Sequence, residues 1–404
     1  MVTKDYGFDE SIIAETTIID KDKHGFIRKT VKDADIQGDD VVFFDYDGTI
    51  LHSYKADAFL RMPEMPKNPE HDGLISRGWN WSYEDAQAYV QKYGKLNVGQ
   101  MYAPADGKTH IKIHIPEDGR PNFKLCFTQT VANGVIVDWG DGSETDTSDV
   151  TDGLVYMEHT YAKLDMDYEI TLKTINGCEI GYGFNDDNNP NDWTSLFNKT
   201  VTGLVSCEIY VTDVIISNFV ENITLGAFRD CVNLHSLIIS DSVKNIESRA
   251  FYCCRCLRSL VIPNSVEVIG SSSFFSIPLQ FLSIPNSIER IETSAFRSGC
   301  YIQTLIIPDS VTSIGETSFQ SPNKLQLLII PDSVTSIERQ AFENCEMLTK
   351  CIIKSIVPPT LGIYVFRFMP EYAKIFVPAE SVDAYKTATN WSAYADHIFA
   401  INAE

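Results

Sequence analysis

The sequence predicts a mainly β, multidomain protein that ends in a solenoid of stacked repeats. Its 404 residues exceed one typical domain, so several modules are expected. The second half repeats one pattern about every 23 residues, and the first half contains short alternating apolar stretches between turns rich in Gly, Pro, Asn and Asp. Hydrophobic residues at 44% and charged residues at 22% are ordinary globular values, which argue against extended disorder.

The charge and the apolar runs of the sequence indicate which classes of partner are unfavourable. Lys and Arg number 33 against 55 Asp and Glu, which gives a formal net charge of −22, and there is no Lys/Arg-rich block. Nucleic acid and anionic membranes are therefore unfavourable partners. No apolar run approaches the roughly 20 residues that span a bilayer, so we expect no membrane insertion. The first residues, MVTKDYGFDESIIAETTIID, lack the basic and then apolar order of a secretory signal, so no signal peptide is visible in this chain.

The N-terminal segment contains two alternating stretches around DKDKHG, which predict a β hairpin within residues 1–40. Its position alone motivates the hypothesis that this segment anchors the chain to a larger assembly. Unchanged assembly after deletion of residues 1–40 would exclude that hypothesis.

The following stretch, VVFFDYDGTIL, matches the Asp-x-Asp-Gly-Thr opening of phosphatases that use an aspartate nucleophile. In that alternative Asp45 attacks phosphate and Asp47 acts as the acid. Such enzymes need a parallel α/β sheet with crossover helices. Pro63, Pro66 and Pro69 follow instead, at a density that breaks a helix.

A different family fits residues 41–81 better. VVFFDYDGTIL, PKNPEHDGL and GWNW together resemble the internalin-type β-grasp repeat of surface proteins. The resemblance implies a hairpin turn that uses Gly48 and a small core around Trp79 and Trp81. A brief helix is expected after this core, with Ser82 as N-cap before DAQAYVQKY.

Residues 123–173 predict a second β module. GVIVDWGDGS, HTY and DYEITLK resemble a PKD-type β-sandwich, an immunoglobulin-like spacer of surface proteins. Asp138, Asp141 and Asp146 are possible calcium ligands, and the other interpretation is that they form turns with Gly. His159 is expected to be a hydrogen-bonded histidine inside the sandwich, because no Ser or Cys motif accompanies it. The acidic NDDNNPND that follows marks the boundary before the repeats.

The repeat aligns LRSLVIPNSVEVIG, LQFLSIPNSIERIE and LQLLIIPDSVTSIE with their neighbours. This period with L-x-x-L-x-I is typical of a leucine-rich solenoid, in which adjacent units bury each other's apolar sides. Leu325, Leu328 and Ile330 are expected to point inward from a short strand that Pro331 ends. Six or seven coils at ~4.8 Å predict a solenoid about 30 Å long.

Two further columns of the repeat are predicted to be buried. Cys231, Cys254 and Cys345 each stand three residues after a phenylalanine, which favours structural packing over metal binding or disulfides. The phenylalanines recur once per coil, at Phe228, Phe251, Phe274, Phe296, Phe319 and Phe342.

These units closely resemble the BspA-like leucine-rich repeat family, with L-x-x-[IL]-x-I-P-x-S-V-x-x-I-x-x-x-A-F-x-x-C. Residues 375–398 resemble its usual C-terminal cap, a strand and then a short helix from about Ala379. The resemblance implies a bacterial or phage-borne binding protein at the cell surface, outside the cell or in a phage particle. It implies no catalysis and no cofactor, and a surface protein or glycan of a host cell or bacterium as the partner.

The outward strand positions of the repeat are the candidate ligand-binding surface. They form three columns: one is rich in amides, one combines small hydroxyl residues with Phe281 and Leu327, and one is mostly aliphatic. The alternative is that a neighbouring domain or loop covers them. The candidate residues are His235, Arg258, Gln280, Phe281, Gln303, Thr304, Ile306, Gln326, Leu327 and Ile329.

The predicted organisation therefore has six parts, and the predicted function is binding or adhesion without catalysis. The alternatives left open are a tail-associated receptor-binding protein of a phage and, more remotely, the phosphatase. The parts are an N-terminal β segment (1–40), a β-grasp-like module (41–105), a PKD-like sandwich (106–184), a linker and solenoid N-terminal cap (185–210), the leucine-rich solenoid (211–374) and a C-terminal cap (375–404).

Overall fold

The structure is a computed structural model of the 404-residue chain. The residues it describes are 15–20, 25–30, 40–45, 49–71, 74–79, 83, 86–87, 90–91, 94–117, 121–151, 155–178, 180–182, 184–185, 193–194, 210–279, 281–322 and 324–401.

The N-terminal part begins with a hairpin and continues with a four-stranded sheet. The hairpin strands β1 (Glu15–Asp20) and β2 (Gly25–Thr30) pair antiparallel on either side of DKDKHG, as predicted. The sheet has the order β4-β3-β6-β5, with β3 parallel to β6 and antiparallel to β4. Its elements are β3 (Val41–Phe44), β4 (Ile50–Tyr54), α1 (Ala56–Phe59), β5 (Leu74–Trp79) and β6 (Leu96–Pro104). We call this sheet, together with α1 and the described residues between its strands, the first module.

The first module has its own small core. Phe43 and Phe59 are fully buried, and the Phe43 ring meets Trp79 edge to face at 4.9 Å. The Trp79 Nε1–H donates to the Pro66 carbonyl at 2.7 Å, so the buried indole keeps a hydrogen bond. Trp81 and the turn residue Gly48 lie outside the described residues, and the resemblance to a β-grasp repeat stays a prediction.

The second module is a pair of antiparallel sheets with a common core. One sheet has the order β10-β8-β12, and the other contains β7, β11 and β9. Trp139 is fully buried between them, and the Tyr161 hydroxyl donates to its carbonyl at 2.9 Å. The likeness to PKD domains stays a prediction. The strands are β7 (Thr109–Ile115), β8 (Asn122–Gln129), β9 (Val135–Asp138), β10 (Val155–Thr160), β11 (Met166–Thr174), β12 (Ile180–Tyr182) and the small pair β13 (Phe184–Asn185) and β14 (Trp193–Thr194).

The C-terminal half is a β-solenoid of about eight turns, longer than the six or seven coils expected. The difference arises at the ends, where coils depart from the consensus but keep the strand register. In chain order its strands are β15 (Val211–Ile215), β16 (Asn222–Ile223), β17 (Ser236–Ile238), β18 (Asn245–Ile246), β19 (Ser259–Val261), β20 (Val268–Ile269), β21 (Phe281–Ser283), β22 (Arg290–Ile291), β23 (Thr304–Ile306), β24 (Ser313–Ile314), β25 (Leu327–Ile330), β26 (Ser336–Ile337), β27 (Lys350–Ile353), β28 (Thr360–Leu361), β29 (Lys374–Val377) and β30 (Ile398–Ala400).

The solenoid has two strand faces and a third side made of turns. Odd-numbered strands β15 to β29, followed by β30, form the first face, and even-numbered strands β16 to β28 form the second. Within each face the solenoid strands that pair run parallel, and among the residues described the pairing is interrupted between β17 and β19, between β21 and β23 and between β20 and β22. On the third side, backbone N–H groups donate to the next coil, as Phe251 does to the Ser273 carbonyl at 2.9 Å. Left-handed residues flank each Ala-Phe step there, for example Gln340 and Asn344, at φ 56° and 63°.

The predicted phenylalanine column is confirmed. Its six rings are buried and stack face to face at 5.2 to 5.6 Å, and Phe366 extends the column by one more ring at 5.8 Å. Cys231, Cys254 and Cys345 are buried thiols, as predicted. Burial raises the pKa of the Cys345 thiol well above its usual range, which makes it a poor nucleophile.

The C-terminal residues form a strand, a short helix and a further strand. After β29 come a 3-10 turn at Ala379–Ser381, helix α2 (Val382–Thr387), a 3-10 segment at Trp391–His397 and β30. Trp391 and Tyr385 are fully buried, and both donate hydrogen bonds to carbonyls of the preceding coil, Pro359 and Ser355. The cap therefore covers the interior of the last coil.

The second module closes the other end of the solenoid. Strand β15 pairs parallel with β17 and antiparallel with β7, so one five-stranded sheet, β17-β15-β7-β11-β9, runs from the sandwich into the first face. We expected the cap in residues 185–210, most of which lie outside the described residues. The edge of the first coil is covered by β7, a strand nearly one hundred residues upstream, which leaves no unpaired edge there.

His110, a histidine at this junction, has a raised pKa. His110 on β7 is buried, and its two ring nitrogens contact Glu169 Oε1 at 2.6 Å and Asp106 Oδ1 at 3.1 Å. Burial alone would lower the pKa of His110, but the hydrogen bonds to Asp106 and Glu169 raise it to about 9. The imidazolium is therefore the folded form at neutral pH.

This pKa predicts a pH dependence of stability. Since the folded pKa lies above the ordinary value of 6.5, the contribution of His110 is complete below about pH 6.5, declines as pH rises and is lost above about pH 9. We expect the melting temperature to fall by a few degrees over this range, and less in His110→Gln. His114→Gln is the control, because this exposed histidine on the same strand contacts only exposed carboxylates. Equal pH slopes for wild type and His110→Gln would contradict the assignment.

Candidate functional site

The candidate surface lies on the outward side of the first solenoid face. Alternation along a strand sends successive side chains to opposite sides. In β25 this gives buried Leu328 and Ile330 between half-buried Leu327 and Ile329, as the sequence predicted. We call the outward side of strands β17 to β29 the outer face.

The pairing of coils brings most predicted residues into columns. Thr304 stands beside Leu327, and Ile306 beside Ile329. His235 and Arg258 are exposed, whereas the described residues Thr304, Ile306, Gln326, Leu327 and Ile329 are half-buried. Gln280 lies outside the described residues. Phe281 lies in β21, but its side chain is also outside them.

Gln303 departs from the prediction of an outward-facing residue. Its side chain is only 3% exposed, and its Oε1 has no hydrogen-bond partner in the described part of the chain. The sequence assigned it to the outer column because it occupies the same repeat position as His235 and Arg258. Equal repeat position does not give equal burial, because the packing around each coil differs.

The first module covers part of the outer face. Val261, on β19, packs against the module core that contains Phe43 and Trp79. Ile238, one coil earlier, is only 6% exposed. The proposed cover by a neighbouring domain therefore applies to the coils around Val261, whereas Ile306 and Ile329 stay half-exposed.

The outer face also continues beyond the predicted residues. Lys350 and Lys374 extend the column of Leu327, and Ile352 and Phe376 extend that of Ile329. The Lys350 ammonium lies 4.8 Å from the centre of the Phe376 ring, and Lys374 Nζ lies 5.4 Å from that of Phe399. These coils diverge from the consensus, which is why the repeat alignment did not identify their residues.

The charges on the two solenoid faces differ. The outer-face strands and their flanks contain no Asp or Glu. They contain four basic residues, which are His235, Arg258, Lys350 and Lys374. These stretches are residues 235–239, 258–262, 280–284, 303–307, 326–330, 349–353 and 373–377. Glutamates flank most of the second-face strands, namely β16, β18, β20, β22 and β26, at Glu221, Glu247, Glu267, Glu289, Glu292 and Glu338. Carboxylates are therefore compatible with strand ends of this solenoid, yet these stretches of β17 to β29 contain none.

The acidic turn of the second module is held by internal hydrogen bonds. Asp146 accepts the indole N–H of Trp139 at 2.6 Å, and Asp141 accepts a hydrogen bond from the ring of His159 at 2.8 Å. Burial opposes ionisation of Asp141, but hydrogen bonds from Ser143 and His159 lower its pKa to about 2. His159 is half-buried and stacks on Trp139, so its structural assignment is confirmed. In the described part of the chain, no group of three acidic, His or Cys side chains is placed to hold a metal ion.

Asp45 follows β3, and the next strand along the chain, β4, pairs antiparallel with β3. It is 6% exposed, and the His71 ring contacts its Oδ2 at 2.9 Å. His71 lines a cavity of about 410 Å³ together with Pro69, Glu70, Leu74 and Ser76. Asp47 lies outside the described residues. A hairpin strand thus stands where a phosphatase of this type has a crossover helix.

Comparison with known proteins identifies the repeats. A family profile described as a BspA type leucine rich repeat region matches residues 206–299 and 294–389, with six copies. Residues 206–389 are a BspA-type leucine-rich repeat region. The BspA-type region contains the outer face and its extension to Phe376. Neither the phage alternative nor the phosphatase alternative gains support from this match.

Solved structures of bacterial leucine-rich proteins are similar to this chain. A leucine rich cell surface protein from Faecalibacterium prausnitzii is 20% identical, and the match covers 48% of this chain and 76% of that one, with a TM-score of 0.28. A T. pallidum leucine rich repeat protein is 22% identical over 42% of this chain and 75% of its own, with a TM-score of 0.26.

A third solved structure is a leucine-rich repeat protein from Bacteroides ovatus. It is 19% identical over 57% of this chain and 79% of its own, with a TM-score of 0.26. At these identities and TM-scores the likeness carries no argument about function. A search of curated proteins finds no match. Across the described ranges, no helix has the length and apolar character to cross a membrane.

Proposed function

We propose that this protein is a non-enzymatic binding or adhesion protein that recognises a protein or glycan through its outer face. The observation that carries the proposal is the pair of half-exposed columns in the BspA-type region, Thr304 with Leu327 and Ile306 with Ile329. Parallel pairing fixes the backbone beneath them, so binding would require little ordering of the protein. A cell-surface or extracellular location agrees with this role, and anchoring through residues 1–40 is a further proposal.

The outer face is suited to recognition because it leaves aliphatic side chains partly in contact with water. Ile306 and Ile329 are aliphatic residues that remain partly in contact with solvent, so a partner gains by removing them from water. The inward residues Leu305 and Leu328 are buried and keep these side chains in register. Specificity would then come from the polar neighbours Thr304 and Gln326.

An array of surface proteins and glycans, probed with the full chain and with two variants, tests the proposal. Leu327→Asn removes an apolar contact from the outer face and should weaken binding to any retained ligand by roughly tenfold. Val268→Asn makes a comparable change on the second face, where Val268 is 48% exposed, and should leave binding unchanged. Binding that survives Leu327→Asn and is lost in Val268→Asn would locate the site on the other face and refute the proposal.

A further inference from the structure

We infer that the partner of the outer face is an acidic polypeptide segment that also carries apolar side chains. This inference rests on the proposed function, since it specifies the chemistry of the ligand for the same surface. Three observations lead to it: the sign of the charge on the outer face, the accessibility of Lys374 and the aliphatic character of the adjoining column.

The sign of the charge is opposite to that of the whole protein. The chain has a formal net charge of −22, yet the outer-face strands and their flanks contain no carboxylate. Strands generally contain few acidic residues. That tendency does not account for the difference, because Glu267 and Glu289 immediately precede strands of the second face in the same solenoid. An acidic partner would therefore be attracted to the outer face and repelled by the second face.

Lys374, on the outer face, is accessible to a ligand. Lys374 is exposed and makes no ion pair with the residues that the structure describes. Its ammonium nitrogen lies 5.4 Å from the centre of the Phe399 ring, a contact that does not neutralise its charge. On the second face, by contrast, Lys244 lies 3.5 Å from Glu221, and Arg290 lies 2.8 Å from Glu338. The positive charges of the second face are thus compensated within the protein.

The aliphatic column favours a polypeptide over an acidic polysaccharide. Ile306, Ile329 and Ile352 stand one coil apart beside the lysine column. Aliphatic and aromatic side chains of a peptide would bury these isoleucines favourably. Sugar hydroxyl groups placed over them would lose hydrogen bonds to water without replacing them. The surface therefore combines a requirement for negative charge with a requirement for apolar side chains.

Selection from a random peptide library tests the inference with the full chain as the target. We expect the enriched peptides to carry net negative charge together with apolar residues, and their binding to weaken as salt is added. Reversal of both lysines, Lys350→Glu with Lys374→Glu, should weaken binding of these peptides by roughly tenfold or more. Lys244→Glu makes the same reversal on the second face and should have no effect. Melting curves verify that each variant is folded.

Several outcomes would overturn the inference. Enrichment of neutral or basic peptides would contradict it, as would a failure to enrich any peptide or equal binding by the double lysine variant. Binding of polygalacturonate that depends on both lysines, with no peptide enriched, would identify an anionic glycan as the partner and leave the proposed function intact. If Leu327→Asn abolishes binding but the lysine reversal does not, the outer face is the site and the acidic partner is wrong. If neither change matters, the proposed function fails too.

Discussion

Removal of residues 1–205 should destabilise the solenoid by far more than removal of residues 1–105. The larger deletion takes away β7, which pairs with β15 and covers the first coil. Val211 and Val214, fully buried in the intact chain, would lose their neighbours, and the edge of β15 would be unpaired. We expect the melting temperature to fall by roughly 10 °C or more, with aggregation visible by size-exclusion chromatography.

The shorter deletion is the matched control. It removes the first module but keeps the sandwich, and with it the hydrogen bond from the Ser217 N–H to Thr109 Oγ1 at 3.1 Å. Only contacts such as that of Val261 with the first module are lost. If both truncated proteins melt at the same temperature as the full chain, β7 does not stabilise the solenoid and the continuous sheet has no energetic importance.

The solenoid interior could be predicted because its pattern is local and repeated. Each coil places the same residue types at the same positions, so burial of Phe319 or Cys345 follows from the sequence of a single unit and its neighbours. The junction with the sandwich is different in kind. Pairing of β7 with β15 joins segments separated by about one hundred residues, and no residue in either strand specifies the other as its partner.

At the candidate site, too, the features set within one repeat could be predicted, whereas those set by other parts of the chain could not. Alternation along the strand correctly gave the outward orientation of Leu327 and Ile329. It did not give the burial of Gln303 or the contact of Val261 with the first module, because both depend on surroundings that the repeat pattern does not contain. Residues such as Lys374 were missed because their coil departs from the consensus.

The spacing of histidines and carboxylates along the sequence does not reveal which of them come into contact. His110 follows Asp106 by four residues, but its other partner, Glu169, lies on the neighbouring strand β11. The register that pairs β7 with β11 creates this charged triad at the junction. Sequence alone offered no means to distinguish His110 from the exposed His114 on the same strand.

Substitution of Phe319 by alanine should be among the most destabilising single changes in the chain. Its ring is fully buried and stacks between Phe296 at 5.3 Å and Phe342 at 5.6 Å. Loss of a buried phenylalanine leaves a cavity and typically costs about 3–5 kcal/mol. Because each coil is stabilised mainly by its neighbours, the effect should spread to the flanking coils. Urea unfolding followed by circular dichroism measures the loss.

Phe275→Ala provides the matched comparison on the same side of the solenoid. Phe275 points outward next to the buried Phe274, is only half-buried, and stacks on Tyr252 at 4.7 Å. Its truncation should cost roughly 1 kcal/mol, since solvent replaces the missing ring and little cavity remains. Stability therefore depends on the inner column and much less on the outer rings. Similar losses for Phe319→Ala and Phe275→Ala would contradict this distinction and would indicate that the third side is stabilised by ring stacking in general.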